Sequence, residues 1–128
     1  MVRIAYVRSN PSGKDLATRL NEEYVAITNR GINSVNMSGW LLSDVKSHVY
    51  QFKHAIGGKY WSLGPGEYVF VHTGSGTDTY TPPVSGHPGR FQVYWGNGWW
   101  IWNNEGDVAS LYDSSGNLVH RYTVSNAA

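Results

Sequence analysis

The stretch DVASLYDSSGNLVHRYTV, residues 107–124, decides the fold. Two runs of strand length flank Ser114-Ser115-Gly116-Asn117, a cluster of turn-forming residues. That is a β-hairpin, with Ala109 and Leu111 on its first strand. The same punctuation recurs upstream. FQVYW (91–95) precedes Gly96-Asn97-Gly98, and WWIWNN follows, so a second hairpin is expected there.

Further out, the pattern holds. VRIAYVRSN (2–10) sets Val2, Ile4 and Tyr6 against Arg3, Ala5 and Val7, the period of two that marks a strand. Asn10-Pro11-Ser12-Gly13 reads as a turn. Leu16, Leu20 and Tyr24 stand four apart, which fits either one helical turn around Asp15–Leu20 or a loop. EYVAITN (23–29), SVNMSGWLLSD (34–44) and HVYQF (48–52) read as strands, with Gly39 marking a bulge or close approach. YVFVHT (68–73) is apolar enough to be buried on both faces. Residues 73–90, TGSGTDTYTPPVSGHPGR, form the longest irregular stretch, and loops of that length are commonly functional or mobile. About eight or nine short strands at regular intervals predict an all-β sandwich.

The 128 residues suit one domain, 1–128, with a real core. Charged residues make up 15% and aromatics 14%, a folded and not a disordered profile. Net charge is +1, so no global field draws the chain to nucleic acid or membrane. The charge is uneven, however. Residues 1–64 hold eight Lys/Arg against four Asp/Glu, and residues 65–128 hold two against five. The chain has no cysteine, which excludes disulfides and thiolate metal sites. No apolar run approaches the ~18 residues of a membrane span, so no membrane insertion is expected. MVRIAYVRSN has no signal-peptide h-region.

EYVAITNRG (23–31), VNMSGWLLSD (35–44), LGPGEYVFVHTGSGT (63–77), WNNEGDVASLYDSSGNLV (102–119) and a closing YTV stand in an order that resembles the lamin tail domain in its bacterial form. The resemblance covers roughly residues 2–124. It implies an immunoglobulin-like β-sandwich and carries no catalytic residues. In nuclear lamins the domain docks nuclear proteins and DNA. Bacterial copies often stand beside secreted hydrolases or at the cell surface, so a secreted or cell-surface setting is expected. The coiled-coil rod of lamins is absent from the chain, and no filament function is inferred.

Trp95, Trp99, Trp100 and Trp102 fall within eight positions. On the family pattern Trp102 and Trp40 are core. Strand parity groups Trp100 with Trp102 and sets Trp99 and Ile101 on the other face. The leading functional expectation is a non-enzymatic binding module. Its partner would be a protein or glycan, held by Trp95, Trp99 and Trp100 together with the loop Thr73–Arg90, including Tyr80 and His87. The alternative is DNA binding by a basic face built from Arg3, Arg8, Lys14, Arg19 and Arg30, to which Lys46, Lys53 and Lys59 add charge. Homo-oligomerisation through outward residues such as Leu41 is a further reading.

His48, His54, His72, His87 and His120 form no compact ligand spacing, so neither a metal nor a cofactor is expected. HTGSG (72–76) lacks the lysine and following helix of a phosphate loop and reads as a strand exit. Asp113 is expected to cap its turn, Asp107 to bond backbone, and Asn29 and Asn103 to satisfy loop backbone as buried amides. A small hydrolase ranks last, for want of an acid–base or metal constellation.

Overall fold

The computed structural model describes residues 1–9, 17–53, 55–56, 59–102 and 107–124, with backbone alone at 17–19, 55–56 and 59–60. The expected turn at 10–13 and the roles given to His54 and Asn103 lie outside the described residues. In chain order the strands are β1 (Val2–Arg8), β2 (Tyr24–Asn29), β3 (Val35–Asn36), β4 (Leu41–Ser43), β5 (Val49–Gln51), β6 (Ala55–Ile56) and β7 (Lys59–Tyr60). They continue with β8 (Ser62–Leu63), β9 (Tyr68–His72), β10 (Thr79–Thr81), β11 (Arg90–Tyr94), β12 (Asp107–Tyr112) and β13 (Leu118–Val124). A 3-10 turn at Ala17–Glu22 stands where a helical turn or loop was expected, shifted two residues on.

Two sheets face each other. One has the order β1-β2-β9-β11-β10, the other β13-β12-β4-β5. Two small pairs, β3-β8 and β6-β7, belong to neither. The first sheet sends Val2, Ile4, Val25, Ile27, Val69, Val71, Phe91 and Val93 inward; the second sends Leu42, Tyr50, Ala109, Leu111 and Val124. Connecting segments add Met37, Trp40, Phe52, Trp61, Leu63, Ile101 and Trp102. Trp40 and Trp102 are core as expected. Trp61, which the sequence reading passed over, is the largest fully buried side chain. It stacks on Phe91 at 4.5 Å and takes Phe52 edge-on at 5.2 Å.

On one side the sheets are joined by β1 and β13, where the Ile4 N–H donates to Nδ1 of His120 at 3.0 Å. On the other, Lys53 Nζ reaches Asp78 Oδ2 at 2.7 Å, linking the segment after β5 to the start of β10.

Three expectations are corrected. First, β1 carries a register shift between Ile4 and Tyr6. Ile4 faces Ile27 inside the sandwich, but Tyr6 faces Ala26 and Arg8 faces Tyr24 on the outside. The strict alternation of Val2, Ile4 and Tyr6 therefore breaks at Ala5. Second, the irregular stretch 73–90 contains β10, which pairs antiparallel with β11, while β11 runs parallel to β9. The chain leaves β9, forms the outer strand first, and returns between the two.

Third, the Gly96-Asn97-Gly98 hairpin is absent, and Trp99–Trp102 lie outside any strand. A type I′ hairpin turn needs left-handed backbone at two consecutive positions. Gly96 has φ +84°, but neither Asn97 nor Gly98 is left-handed. The backbone donors are also committed elsewhere. Trp95 N–H bonds His72 O, Gly96 N–H bonds Gly74 O, and Asn97 N–H bonds Thr73 O. Ile101 and Trp102 N–H groups both donate to the carboxylate of Glu23. Without strand geometry there is no parity, and Ile101 and Trp102 are buried side by side in sequence.

The hairpin at 107–124 forms as read. Asp113 Oδ1 accepts the N–H groups of Ser115 and Asn117, each at 2.9 Å. Those bonds hold its carboxyl below the usual carboxylate range. Asp107 Oδ1 accepts Val45 and Val108 N–H groups. Asn29, fully buried, donates from Nδ2 to the carbonyls of Asn33 and Leu63.

Candidate functional site

The solvent side of the five-stranded sheet holds a cluster of half-covered aromatic rings. Its cause lies in register. Core residues of β2, β9 and β11 are aliphatic or Phe91, and the alternate positions must face out. Strand pairing places those positions in three rows. The first is Arg3, Thr28, Tyr68, Arg90 and Thr81; the second Tyr6, Ala26, Phe70, Gln92 and Thr79; the third Arg8, Tyr24, His72 and Tyr94. Rows lie about 6.7 Å apart along the strands, and strands about 4.8 Å apart. Thus YVFVHT is fully buried on one face only: Val69 and Val71 are covered, while Tyr68, Phe70 and His72 are half-buried.

The rings bind one another. Tyr24 meets Tyr6 at 6.0 Å, Phe70 at 5.5 Å and His72 at 5.4 Å, with interplanar angles of 66°, 87° and 58°. Tyr68 lies parallel to Phe70 at 5.7 Å, and His72 to Tyr94 at 4.9 Å. The Tyr6 and Tyr24 hydroxyls stand 3.4 Å apart. Burial together with this neighbour pushes the Tyr6 phenol up to about 12. His72 is fixed in place, with Nδ1 on Asn21 O at 2.8 Å and Nε2 on the Gln92 side chain at 2.5 Å.

No Asp or Glu occupies any of the three rows. Two acids that adjoin the rows, Glu67 and Asp78, bond elsewhere. Glu67 accepts Gly64 N–H and the Tyr80 hydroxyl, and Asp78 accepts Tyr94 N–H and pairs with Lys53. Arg3, Arg8 and Arg90 are exposed.

Over this geometry the Lamin Tail Domain family model matches residues 1–126. The chain is a lamin tail domain. No curated protein matches its sequence at a significant level.

This lamin tail domain distributes the sequence-derived candidates over separate places. Trp95 leans into the core, edge-on to Tyr50 at 5.9 Å and Trp102 at 6.0 Å. Trp100 is half-buried, and of the three only Trp99 is exposed, at 56%. Tyr80, the middle residue of β10, points inward onto Phe91 at 4.5 Å. Trp95 lies four residues beyond Phe91, about 13 Å along the strand. His87 is exposed in a tight turn with Val84, beyond Tyr80. The structure does not bring the two halves of that patch together.

Of the basic set, Arg3 and Arg8 share the outer face. Arg30 is exposed just past β2 and lines a shallow depression with Thr28, Gly66 and Tyr68. Lys14 and the Arg19 side chain lie outside the described residues. Arg90 joins Arg3 and Arg8 although it was not among the candidates. Leu41 is half-buried on an interior strand.

The lamin tail domain also contains a buried acid that the sequence reading missed. Glu23 is 1% exposed. Its Oε1 accepts the Thr73 hydroxyl at 2.8 Å, Ile101 N–H at 2.9 Å and Trp102 N–H at 3.2 Å. It organises the tryptophan segment and does not face solvent. Among the described residues, no three His, Asp or Glu side chains converge as a metal site requires. No helix among them is long and apolar enough to cross a membrane.

Proposed function

We propose that this domain is a non-enzymatic binding module that engages a protein or glycan partner through an aromatic surface, outside the cell or at its surface. One observation supports the reading above the others: Tyr6, Tyr24, Tyr68, Phe70, His72 and Tyr94 share one half-covered sheet face with three arginines and no carboxylate. Tyr and Arg are the residue types enriched at interfaces, where they carry much of the binding energy. The sheet face replaces the tryptophan-and-loop patch as the favoured surface, because it is one continuous area. Its extracellular setting rests on the habit of bacterial members of the family.

The test is backbone-amide NMR of the domain with partner candidates of each class, wild type against Phe70→Ser. Binding that perturbs the three rows and weakens at least tenfold in Phe70→Ser, with the fold retained, supports the reading. Binding that leaves the rows unmoved sinks it.

A second reading, nucleic-acid binding, is favoured by Arg3, Arg8 and Arg90 standing beside aromatic rings. It requires a log–log salt slope of about −0.7 per phosphate neutralised on a single strand.

A further inference from the structure

Resting on the binding-module reading, the ring geometry narrows the ligand class. A ligand that stacks, such as a sugar or an unpaired base, needs flat ring faces open to it. Here the faces are largely taken. Parallel rings as close as His72 and Tyr94, at 4.9 Å, lie one over the other, since side by side in one plane their edge hydrogens would collide. The same holds for Tyr68 and Phe70 at 5.7 Å. Tyr24 closes the gap between the two pairs, edge to face with Phe70 and tilted against His72. What remains outward is ring edges, the paired hydroxyls of Tyr6 and Tyr24, and the guanidinium groups of Arg3, Arg8 and Arg90.

Ring edges carry partial positive charge. Together with three guanidinium groups, and with Glu67 and Asp78 engaged elsewhere, they make the three rows attractive to carboxylates. Guanidinium groups suit bidentate carboxylate pairing. The Cα footprint, roughly 13 Å by 19 Å from strand geometry, falls well short of the ~800 Å² that a standard interface takes from each partner. It matches a segment of chain laid across the strands and not a whole globular surface.

We propose that this face binds an extended acidic peptide segment with interspersed apolar residues. The carboxylates pair with Arg3, Arg8 and Arg90 at the rim, and the apolar side chains rest on the edges of Tyr24, Phe70 and Tyr94. Neither flat stacking nor a continuous phosphate track is involved.

The experiment titrates the isotope-labelled domain with four probes: a synthetic peptide of repeating Asp-Tyr-Glu-Leu, its Lys-Tyr-Lys-Leu counterpart, heparin, and oligothymidylate. The acidic peptide is expected to perturb the amides of Tyr6, Arg8, Tyr24, Phe70, His72 and Tyr94. Its affinity is expected to drop at least tenfold in the Arg3→Glu/Arg8→Glu/Arg90→Glu variant, and severalfold in the single Arg8→Glu variant should the triple fail to fold. The lysine peptide is expected to leave the face untouched. Equal binding of the lysine peptide overturns the proposal. Heparin or oligothymidylate binding the same rows more tightly than the acidic peptide also overturns it, yet leaves the binding-module reading standing. If no probe moves the three rows, the acidic-peptide proposal falls, and the binding-module reading is decided by the Phe70→Ser comparison with protein and glycan partners.

Discussion

The Oε1 atom of Glu23 accepts the backbone N–H of Trp102 at 3.2 Å, joining residues 79 apart in the chain. The same oxygen holds Ile101 N–H and the Thr73 hydroxyl. One buried acid thus replaces the strand partner that the tryptophan segment lacks. It also ties the start of β2, the exit of β9 and the chain before β12 to one point.

Removing that acceptor leaves several donors buried and unanswered, each worth about 1–3 kcal/mol. Glu23→Ala is expected to lower the unfolding free energy by about 3 kcal/mol or more, and Glu23→Gln, which keeps an acceptor oxygen, by clearly less. Urea unfolding followed by tryptophan emission measures both. Equal losses in the two variants would show that the hydrogen bonds are not the cause.

His120 gives the fold a pH dependence of definite sign. Burial foremost, and then the charge of Arg3, hold its ring below the ordinary 6.5. The neutral ring accepts the Ile4 N–H. Its contribution is fully present above pH 6.5, where the ring is neutral in both states. As pH falls below 6.5 the unfolded chain protonates first, and stability is lost until pH passes the folded value. Urea midpoints between about pH 7.5 and 5.5 are expected to fall more steeply in the native domain than in His120→Gln. Parallel slopes would remove His120 from the account.

Gly96 and Gly98 flank Asn97 but differ in conformation. At Gly96 (φ +84°) a side chain is strained, so Gly96→Ala is expected to cost about 1–2 kcal/mol. Gly98 is not left-handed, and an added Cβ would meet nothing. Gly98→Ala is expected to stabilise by about 0.4–1 kcal/mol through the unfolded chain. A loss at Gly98 would show that residue 98 is left-handed or crowded, against this backbone.

The tryptophans separate by exposure. Trp99→Phe is expected to abolish most of the emission that iodide quenches, and to change stability by no more than about 0.5 kcal/mol. Trp61→Ala, which empties the centre of the core, is expected to cost about 3–5 kcal/mol. Stern–Volmer plots and urea titration of both variants check the division. Strong quenching that survives in Trp99→Phe would mean that Trp95 or Trp100 opens to solvent.

The sandwich was legible wherever local chemistry acts alone. Asp113 and its turn, the buried Asn29, and the core roles of Trp40 and Trp102 follow from short-range pattern and family order. What escaped depends on partners distant in sequence. β10 is three residues, Thr79, Tyr80 and Thr81, set among Gly and Pro, and only pairing with β11 makes it a strand. Glu23 follows Glu22 and reads as surface until the chain returns from residue 101. The aromatic face comes from four strands, and no window of sequence holds Tyr6, Tyr24, Phe70 and Tyr94 at once. A signal was nevertheless present: in β2, β9 and β11, the positions that alternate with the core residues include Tyr24, Tyr68, Phe70, His72 and Tyr94.

The irregularity in β1 bears on how this chain tolerates change. Ala5 shifts the phase of the strand by one residue. Ahead of it Val2 and Ile4 point in; behind it Val7 does, and Tyr6 and Arg8 are delivered to the solvent side. Deleting Ala5 would restore plain alternation with Val2, Ile4 and Val7 still inward and Tyr6 and Arg8 still outward, because Ala5 is the unpaired residue of the bulge. The phase would be reversed by a residue inserted after Tyr6, which would turn Val7 toward water and Arg8 toward the interior, so this strand tolerates shortening at the bulge better than lengthening beyond it.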